Sequence, residues 1–107
     1  MGTWGVEPWQ NDAAANWTDS LFQLTRLDLH VEETLHLSVA EFTDEVRAAV
    51  AVLMRLVEIW PVESRRRCLP LALAQLERAA QLRALAPLQD AVRQEIAAVQ
   101  ALLPRDS

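Results

Sequence analysis

Glycine is nearly absent from this 107-residue sequence, which contains only Gly2 and Gly5. Phosphate-binding loops need glycines where backbone N–H groups surround the anion, so P-loop and dinucleotide-binding motifs are excluded beyond residue 5. Tight β-hairpin turns also lack their usual residue, which argues against an all-β fold. Cys68 is the one cysteine, so no disulfide can form within the chain.

Long apolar runs are missing as well. The longest, over residues 48–54, has seven residues, whereas a membrane-spanning helix needs about 20. Glu7 and Asp12 stand where a secretory signal would have a basic start and an apolar run. These features predict a protein that has no membrane segment and lies in the cytoplasm.

Lysine is absent, and all ten basic residues are arginines, against 15 acidic residues. Residues 1–64 contain 11 acidic residues and three arginines, while residues 65–107 contain four and seven. An acidic chain without a basic patch is poorly suited to nucleic acid, whose phosphates bind Lys and Arg. The sequence therefore predicts no nucleic-acid partner, and no residue pattern indicates a cofactor.

Alanine and leucine, with 17 residues each, favour helices. Apolar residues spaced by three and four predict four helices, over residues 13–26, 38–60, 70–85 and 88–103. Short connections make neighbouring helices antiparallel, so the predicted fold is all-α, a single domain built as a small antiparallel bundle of about four helices. Residues 1–10 are predicted to form an irregular arm rich in Trp and Gly, and residues 104–107 a frayed tail.

Two patterns lie between the first two predicted helices. The leucines of residues 27–37 alternate as in a strand, yet no Gly or Asn is present to turn a hairpin, and a short irregular helix competes. Ser38 and Glu41 then match a capping box, with Leu37 and Phe42 as the hydrophobic staple on either side. This pattern predicts that the second helix begins at Ser38.

The apolar stripe of the 38–60 helix predicts the centre of the core, at Val46, Leu53, Leu56 and Trp60. Over residues 48–54 the helix is apolar on every side. It is therefore either the central helix of the bundle or one that buries a second face against a partner chain.

The N-terminal residues resemble a known family. The run MGTWG, followed by Pro8 and Trp9, Asn11 to Ala14 and Trp17, is similar to the start of a bacterial family catalogued as domain of unknown function 4259. The chain departs from that family at Glu7, where glycine is frequent, and at Asn16, where an acidic residue is common. Beyond about residue 24 the likeness is diffuse. The resemblance implies a helical fold, and it transfers no catalytic role because the family has no established reaction.

The predicted arm has a structural and a functional interpretation. Trp4, Trp9 and Trp17 can each bury about 150 to 250 Å² of surface, which suits an arm folded back onto the first helix. In the alternative, the arm forms a ligand or partner pocket whose polar groups are the side chains of Asn11 and Asp12.

Histidines and carboxylates in the 27–37 segment are the best candidates for metal chemistry. Glu33 and His36 stand one helical turn apart, with His30 and Glu32 beside them, as in carboxylate-bridged di-iron bundles. Those sites need two such motifs and further Glu, whereas this chain has one motif and two histidines. We therefore expect a solvated polar face and no metal site.

Three consecutive arginines, Arg65, Arg66 and Arg67, precede Cys68 in a connector predicted over residues 61–69. Guanidinium groups bind carboxylates and phosphates bidentately, so the triplet either clamps such an anion or is a solvated connector. The arginines would also favour a thiolate, but no base stands beside Cys68. We interpret Cys68 as a small apolar residue at a helix entry.

No group of residues supplies a nucleophile, a base and an oxyanion donor together, so the sequence predicts a protein that is not an enzyme. The expected function is that of a protein-interaction module. Its candidate docking residues for a basic partner are Glu41, Asp44 and Glu45, which crowd the start of the 38–60 helix. A small, acidic, helical build suits a bacterial immunity protein or antitoxin that occludes a basic toxin domain.

Two other functions stay open at this point. One is a self-assembling structural bundle that pairs through the 38–60 helix. The other is a metal-dependent enzyme that uses His30, Glu33 and His36. Light scattering and metal analysis distinguish them from the interaction module.

Overall fold

Five α-helices make up residues 12–103, the part of the chain that the computed structural model describes, apart from the side chains of residues 83 and 84. The helices are α1 (Asp12–Thr25), α2 (Leu27–Leu35), α3 (Thr43–Arg55), α4 (Val62–Ala79) and α5 (Gln89–Leu102), with 3₁₀ segments at Val57–Ile59 and Arg83–Leu88. These residues contain no strand, so the predicted all-α fold is confirmed. Among them, no helix is both long and apolar enough to cross a membrane. The predicted arm and tail lie outside the described residues.

The ambiguous 27–37 segment is helical over α2, so the strand alternative is wrong. Its buried side chains, Val31 and Leu35, stand one helical turn apart and face the core together. The chain enters α2 through Arg26, whose φ of 55° and ψ of 32° are left-handed. A left-handed conformation costs about 1 to 2 kcal/mol for a residue with a Cβ atom. A strained single-residue bend therefore joins α1 to α2.

The capping box predicted at Ser38 and Glu41 does not form, and this prediction is wrong. The backbone N–H groups of Glu41 and Phe42 donate instead to the carbonyl oxygen of Ser38, at 3.2 and 2.9 Å, so this segment is a turn. The physical reason is Val39, whose burial in the core holds the segment off the helix axis. The helix begins at Thr43 and ends at Arg55, and the 3₁₀ segment continues the chain toward Pro61.

The predicted start of the third helix at Pro70 is also wrong. α4 begins at Val62 and includes the supposed connector, with Pro70 inside it. A proline in a helix interior removes one hydrogen bond and costs about 3 kcal/mol. Burial of apolar side chains on both sides of the proline, such as Cys68, Leu69 and Ala72, outweighs that cost, since a fully buried large apolar side chain contributes about 1.5 to 3 kcal/mol.

α4 is the central helix of the described bundle, because it packs against α2, α3 and α5. Of the two alternatives predicted for the 38–60 helix, the central position is therefore wrong, since Ala48 and Val52 are exposed. Burial of a second face against a partner chain stays a prediction. Three of the four predicted core residues, Val46, Leu53 and Trp60, are buried, and Leu56 packs against them partly buried. The indole N–H of Trp60 donates to the buried hydroxyl of Ser64 at 3.0 Å, so no polar cost remains at this ring.

Candidate functional site

The predicted docking residues lie at the turn between α2 and α3, residues 36–42, and at the start of α3. Glu41 is in the turn, and Asp44 and Glu45 are in the first helical turn of α3, where all three side chains are exposed. Carboxylates at a helix N-terminus are favoured by the helix dipole, which offsets part of their mutual repulsion. The structure thus presents three negative charges together on one exposed end of α3. We call these three carboxylates with Leu37 and Phe42 the acidic turn surface.

Two apolar side chains belong to this surface, Leu37 and Phe42, which were predicted to form a hydrophobic staple. Phe42 is 38 % exposed and Leu37 is 37 % exposed, so the staple predicted from them does not bury either one. Val39 between them is buried and fixes the turn to the core. The sequence signal was present in the spacing, since Leu37, Val39 and Phe42 do not share one helical face.

Gln75 of α4 holds the acidic turn surface in place. Its side-chain N–H₂ group donates to the carbonyl oxygens of Leu35 and Leu37, each at 2.7 Å. The side chain is buried with 3 % exposure, and its carbonyl oxygen accepts a hydrogen bond from Arg78 at 3.0 Å. Because the last carbonyls of a helix have no intrahelical donor, this amide both caps α2 and fixes the turn that follows.

The positive charge closest in sequence to this surface is already engaged. Arg47 forms a bidentate ion pair with Glu95 of α5, with Nε 3.0 Å from Oε1 and Nη2 in contact with Oε2. The hydrogen bonds that Arg47 donates to the Glu95 carboxylate raise the pKa of Arg47, and the nearby Asp44 carboxylate adds to that effect. Within residues 12–103, Glu41, Asp44 and Glu45 form no ion pair of their own. The surface therefore keeps its negative charge.

The predicted aromatic pocket falls largely outside this part of the chain. Trp4, Trp9 and Asn11 lie outside the described residues, and the pocket stays a prediction. Asp12 begins α1 and is exposed. Trp17 is 65 % exposed on the same helix.

The metal candidates are not brought together. His30, Glu33 and His36 are all exposed, and no group of three His, Cys, Asp or Glu side chains in residues 12–103 has the proximity to hold a metal ion. Glu32 instead forms a bidentate ion pair with Arg67 at 2.9 and 3.1 Å, which joins α2 to α4. That hydrogen bond lowers the pKa of the Glu32 carboxyl.

The arginine triplet is divided by the helix that contains it. Arg67 faces α2, whereas Arg65 and Arg66 line a groove beside α5. Cys68 is fully buried next to the hydroxyl of Ser64, with Sγ and Oγ 3.6 Å apart, and burial raises the pKa of its thiol. A buried thiol with a raised pKa is a poor nucleophile, which agrees with the interpretation of Cys68 as an apolar residue. Its predicted place at a helix entry is wrong, because Cys68 lies six residues after the start of α4.

Comparison with known proteins identifies no relative. No family model, no curated protein and no solved structure matches the chain. The resemblance of the N-terminal residues to domain of unknown function 4259 therefore stays a prediction.

Proposed function

We propose that this protein is a non-catalytic interaction module that binds a basic protein through the acidic turn surface. One observation carries the proposal: Phe42 is an exposed aromatic side chain among three carboxylates, on a turn that Gln75 fixes to the core. Exposed aromatic side chains are the usual anchors of protein interfaces, and the charges around them select the partner.

The fixed turn supports this function physically. A binding segment that is already ordered loses less conformational entropy on association, so more of the contact energy contributes to affinity. Carboxylates on the rim increase the rate at which a positively charged partner arrives. The surface therefore fits a partner that combines basic residues with an apolar pocket for Phe42.

Within this proposal, a basic toxin domain is the partner class to test first, which would make the chain a bacterial immunity protein or antitoxin in the cytoplasm. The support is the small size, the formal net charge of −5 and the concentration of acidic residues before residue 65. Occlusion of a positively charged active surface needs this combination of charge and a rigid anchor.

The experiment compares three immobilised proteins in extract from the source cytosol. They are the wild type, the neutralised variant Glu41→Gln, Asp44→Asn, Glu45→Gln, and a control that removes three exposed carboxylates elsewhere, Asp19→Asn, Glu77→Gln, Asp90→Asn. A protein retained by the wild type and the control, but lost with the neutralised variant, is the expected partner. Its association rate with the purified wild type should fall as salt rises, because the Debye length shortens to about 10 Å at 0.1 M.

A second variant, Phe42→Ser, tests the anchor without changing charge. It should speed dissociation of the same partner while leaving the association rate nearly unchanged. If the neutralised variant and the wild type retain the same proteins, the acidic turn surface is not the docking site and the proposal fails.

A self-assembling bundle is the second candidate, and one observation favours it. Trp17 and Leu24 of α1 stand seven residues apart on one helix face and are 65 % and 85 % exposed. This location differs from the 38–60 helix through which pairing was predicted. Light scattering of the wild type and of a Trp17→Ser, Leu24→Ser variant decides between them: a tight oligomer that the substitutions dissociate would replace the hetero-partner proposal.

A further inference from the structure

A groove separate from the acidic turn surface lies between the first half of α4 and the last turn of α5. Its volume is about 590 Å³, within the range of roughly 300 to 1,000 Å³ that pockets for small molecules occupy. Apolar side chains from three elements form its walls: Val57, Leu69, Pro70, Leu102 and Leu103. This lining is suited to the hydrocarbon part of a ligand.

Two arginines of the triplet line the same groove. Arg65 is half-buried, and its Nη1 donates to the carbonyl oxygen of Val57 at 3.4 Å, which keeps the guanidinium at the groove wall. Arg66 is exposed and lies 3.4 Å from the carboxylate of Glu63, an exposed pair of the kind that contributes little to stability. A guanidinium has five N–H donors, so both side chains retain donors for an anion.

Pro70 lies in the groove wall and interrupts the hydrogen bonding of α4. Because proline has no N–H, it cannot donate to the carbonyl oxygen of Arg66, which would be its partner four residues earlier in α4. A proline inside an 18-residue helix is destabilising, and its ring forms part of the groove wall.

We infer that this groove binds a small organic monoanion, a carboxylate carried on an apolar body. Arg65 and Arg66 supply two positive charges for the carboxylate, and the leucines and Pro70 supply the apolar wall. Glu58 also lines the groove, and Glu63 pairs with Arg66, so the two carboxylates offset much of the positive charge of the arginines. The groove therefore favours a single negative charge over a dianion such as phosphate.

The test uses octanoate as the probe, with acetate, octanamide and inorganic phosphate as comparisons, in calorimetric titrations of the whole chain. Octanoate should bind most tightly, because acetate lacks the apolar body, octanamide lacks the charge and phosphate is repelled by Glu58. The Arg65→Gln, Arg66→Gln variant should bind octanoate about 10- to 100-fold more weakly, the loss expected for charged hydrogen bonds. A control, Arg55→Gln, Arg93→Gln, removes two exposed arginines elsewhere and should bind as the wild type does.

Two further variants separate ligand binding from folding. Leu102 is 42 % exposed, so Leu102→Ser should weaken octanoate binding without unfolding the chain. Pro70→Ala should raise the melting temperature, because α4 regains a hydrogen bond, and yet weaken binding. Glu58→Gln should strengthen binding of octanoate and admit phosphate.

Three outcomes would overturn the inference. If octanoate binds equally well to the wild type and to the Arg65→Gln, Arg66→Gln variant, the two arginines do not bind its carboxylate. Acetate that binds as well as octanoate shows that the apolar wall takes no part. Sedimentation with phosphatidylserine vesicles that depends on Arg65 and Arg66, without any octanoate binding, would assign the groove to a membrane surface instead. None of these results bears on the acidic turn surface, which uses other residues.

Discussion

The ring of Phe22 meets the ring of Trp60 edge to face, with centroids 5.2 Å apart and an interplanar angle of 71°. Phe22 is the one buried residue of α1. Trp60 stands at the end of the 3₁₀ segment that connects α3 to α4. One aromatic pair therefore attaches α1 to the rest of the described bundle, supported by partly buried neighbours on α2.

Truncation of this anchor should be costly. Phe22→Ala is expected to lower the free energy of unfolding by about 3 to 5 kcal/mol, as for other buried aromatic residues. Leu24→Ala on the same helix is the control, and it should change stability by less than about 0.5 kcal/mol because Leu24 is exposed. Urea denaturation of both variants measures the difference. Equal effects would show that Phe22 does not anchor α1.

Substitution of Arg26 by glycine should stabilise the folded protein. Arg26→Gly removes the Cβ atom that makes the left-handed conformation unfavourable, and it should raise the free energy of unfolding by about 0.5 to 1 kcal/mol after the entropy of the unfolded glycine is deducted. Arg26→Ala loses the same charge but retains a Cβ atom, so it should not be stabilising. Thermal melts of the Arg26→Gly and Arg26→Ala variants test this. If Arg26→Ala is also stabilising, the gain comes from loss of the arginine side chain and not from relief of the left-handed conformation.

The amide of Gln75 should be needed for the turn after α2. Gln75→Leu fills a similar volume but leaves two carbonyl oxygens without their donor, so we expect a loss of about 1 to 3 kcal/mol. Gln100→Leu, at an exposed position of α5, serves as the control. Hydrogen exchange should also accelerate at the amides of Glu41 and Phe42 in the Gln75 variant. Unchanged exchange there would mean that Val39 alone holds the turn.

The ion pair between Glu32 and Arg67 should make the free energy of unfolding depend on pH in the acidic range. The pKa of Glu32 is lowered in the folded state by the hydrogen bond from Arg67. The unfolded chain therefore takes up this proton first, and the stabilisation present at neutral pH is lost as the pH falls from the ordinary carboxyl range through the lowered pKa. Glu32→Gln should flatten the stability profile in that acidic range by a small amount, because Arg67 is more than half exposed. Glu33→Gln is the matched control.

Side-chain periodicity was sufficient for part of this fold. The stripe over residues 13–26 predicted α1, and the spacing before Pro104 predicted α5, each to within about one residue. Local sequence patterns gave wrong predictions at the positions where packing in the core determines the local structure. The box at Ser38 is a good local pattern, but burial of Val39 favours a turn there. Likewise, Pro70 predicted the start of a helix, but burial of the apolar face of α4 stabilises a helix that continues on both sides of this proline.

The sequence was sufficient to predict the charged residues of the candidate site, but not the hydrogen bonds that hold its turn in place. Glu41, Asp44 and Glu45 are adjacent in sequence, so their proximity needs no tertiary information. Gln75 bonds to backbone carbonyls about 40 residues away, and backbone groups carry no sequence signal. The exposure of Phe42 depends on the same turn. Both features follow from packing between α2 and α4, which a single sequence does not specify.

Because Cys68 is buried, the rate at which its thiol reacts reports on opening of the core. The thiol lies at zero exposure in the helix that contacts α2, α3 and α5, so an alkylating reagent reaches it only when that packing is broken. When reclosing is faster than alkylation, the labelling rate measures the free energy of the opening that exposes the thiol. Wild type and every variant described above can thus be ranked by mass spectrometry under native conditions, without denaturant and without an added probe.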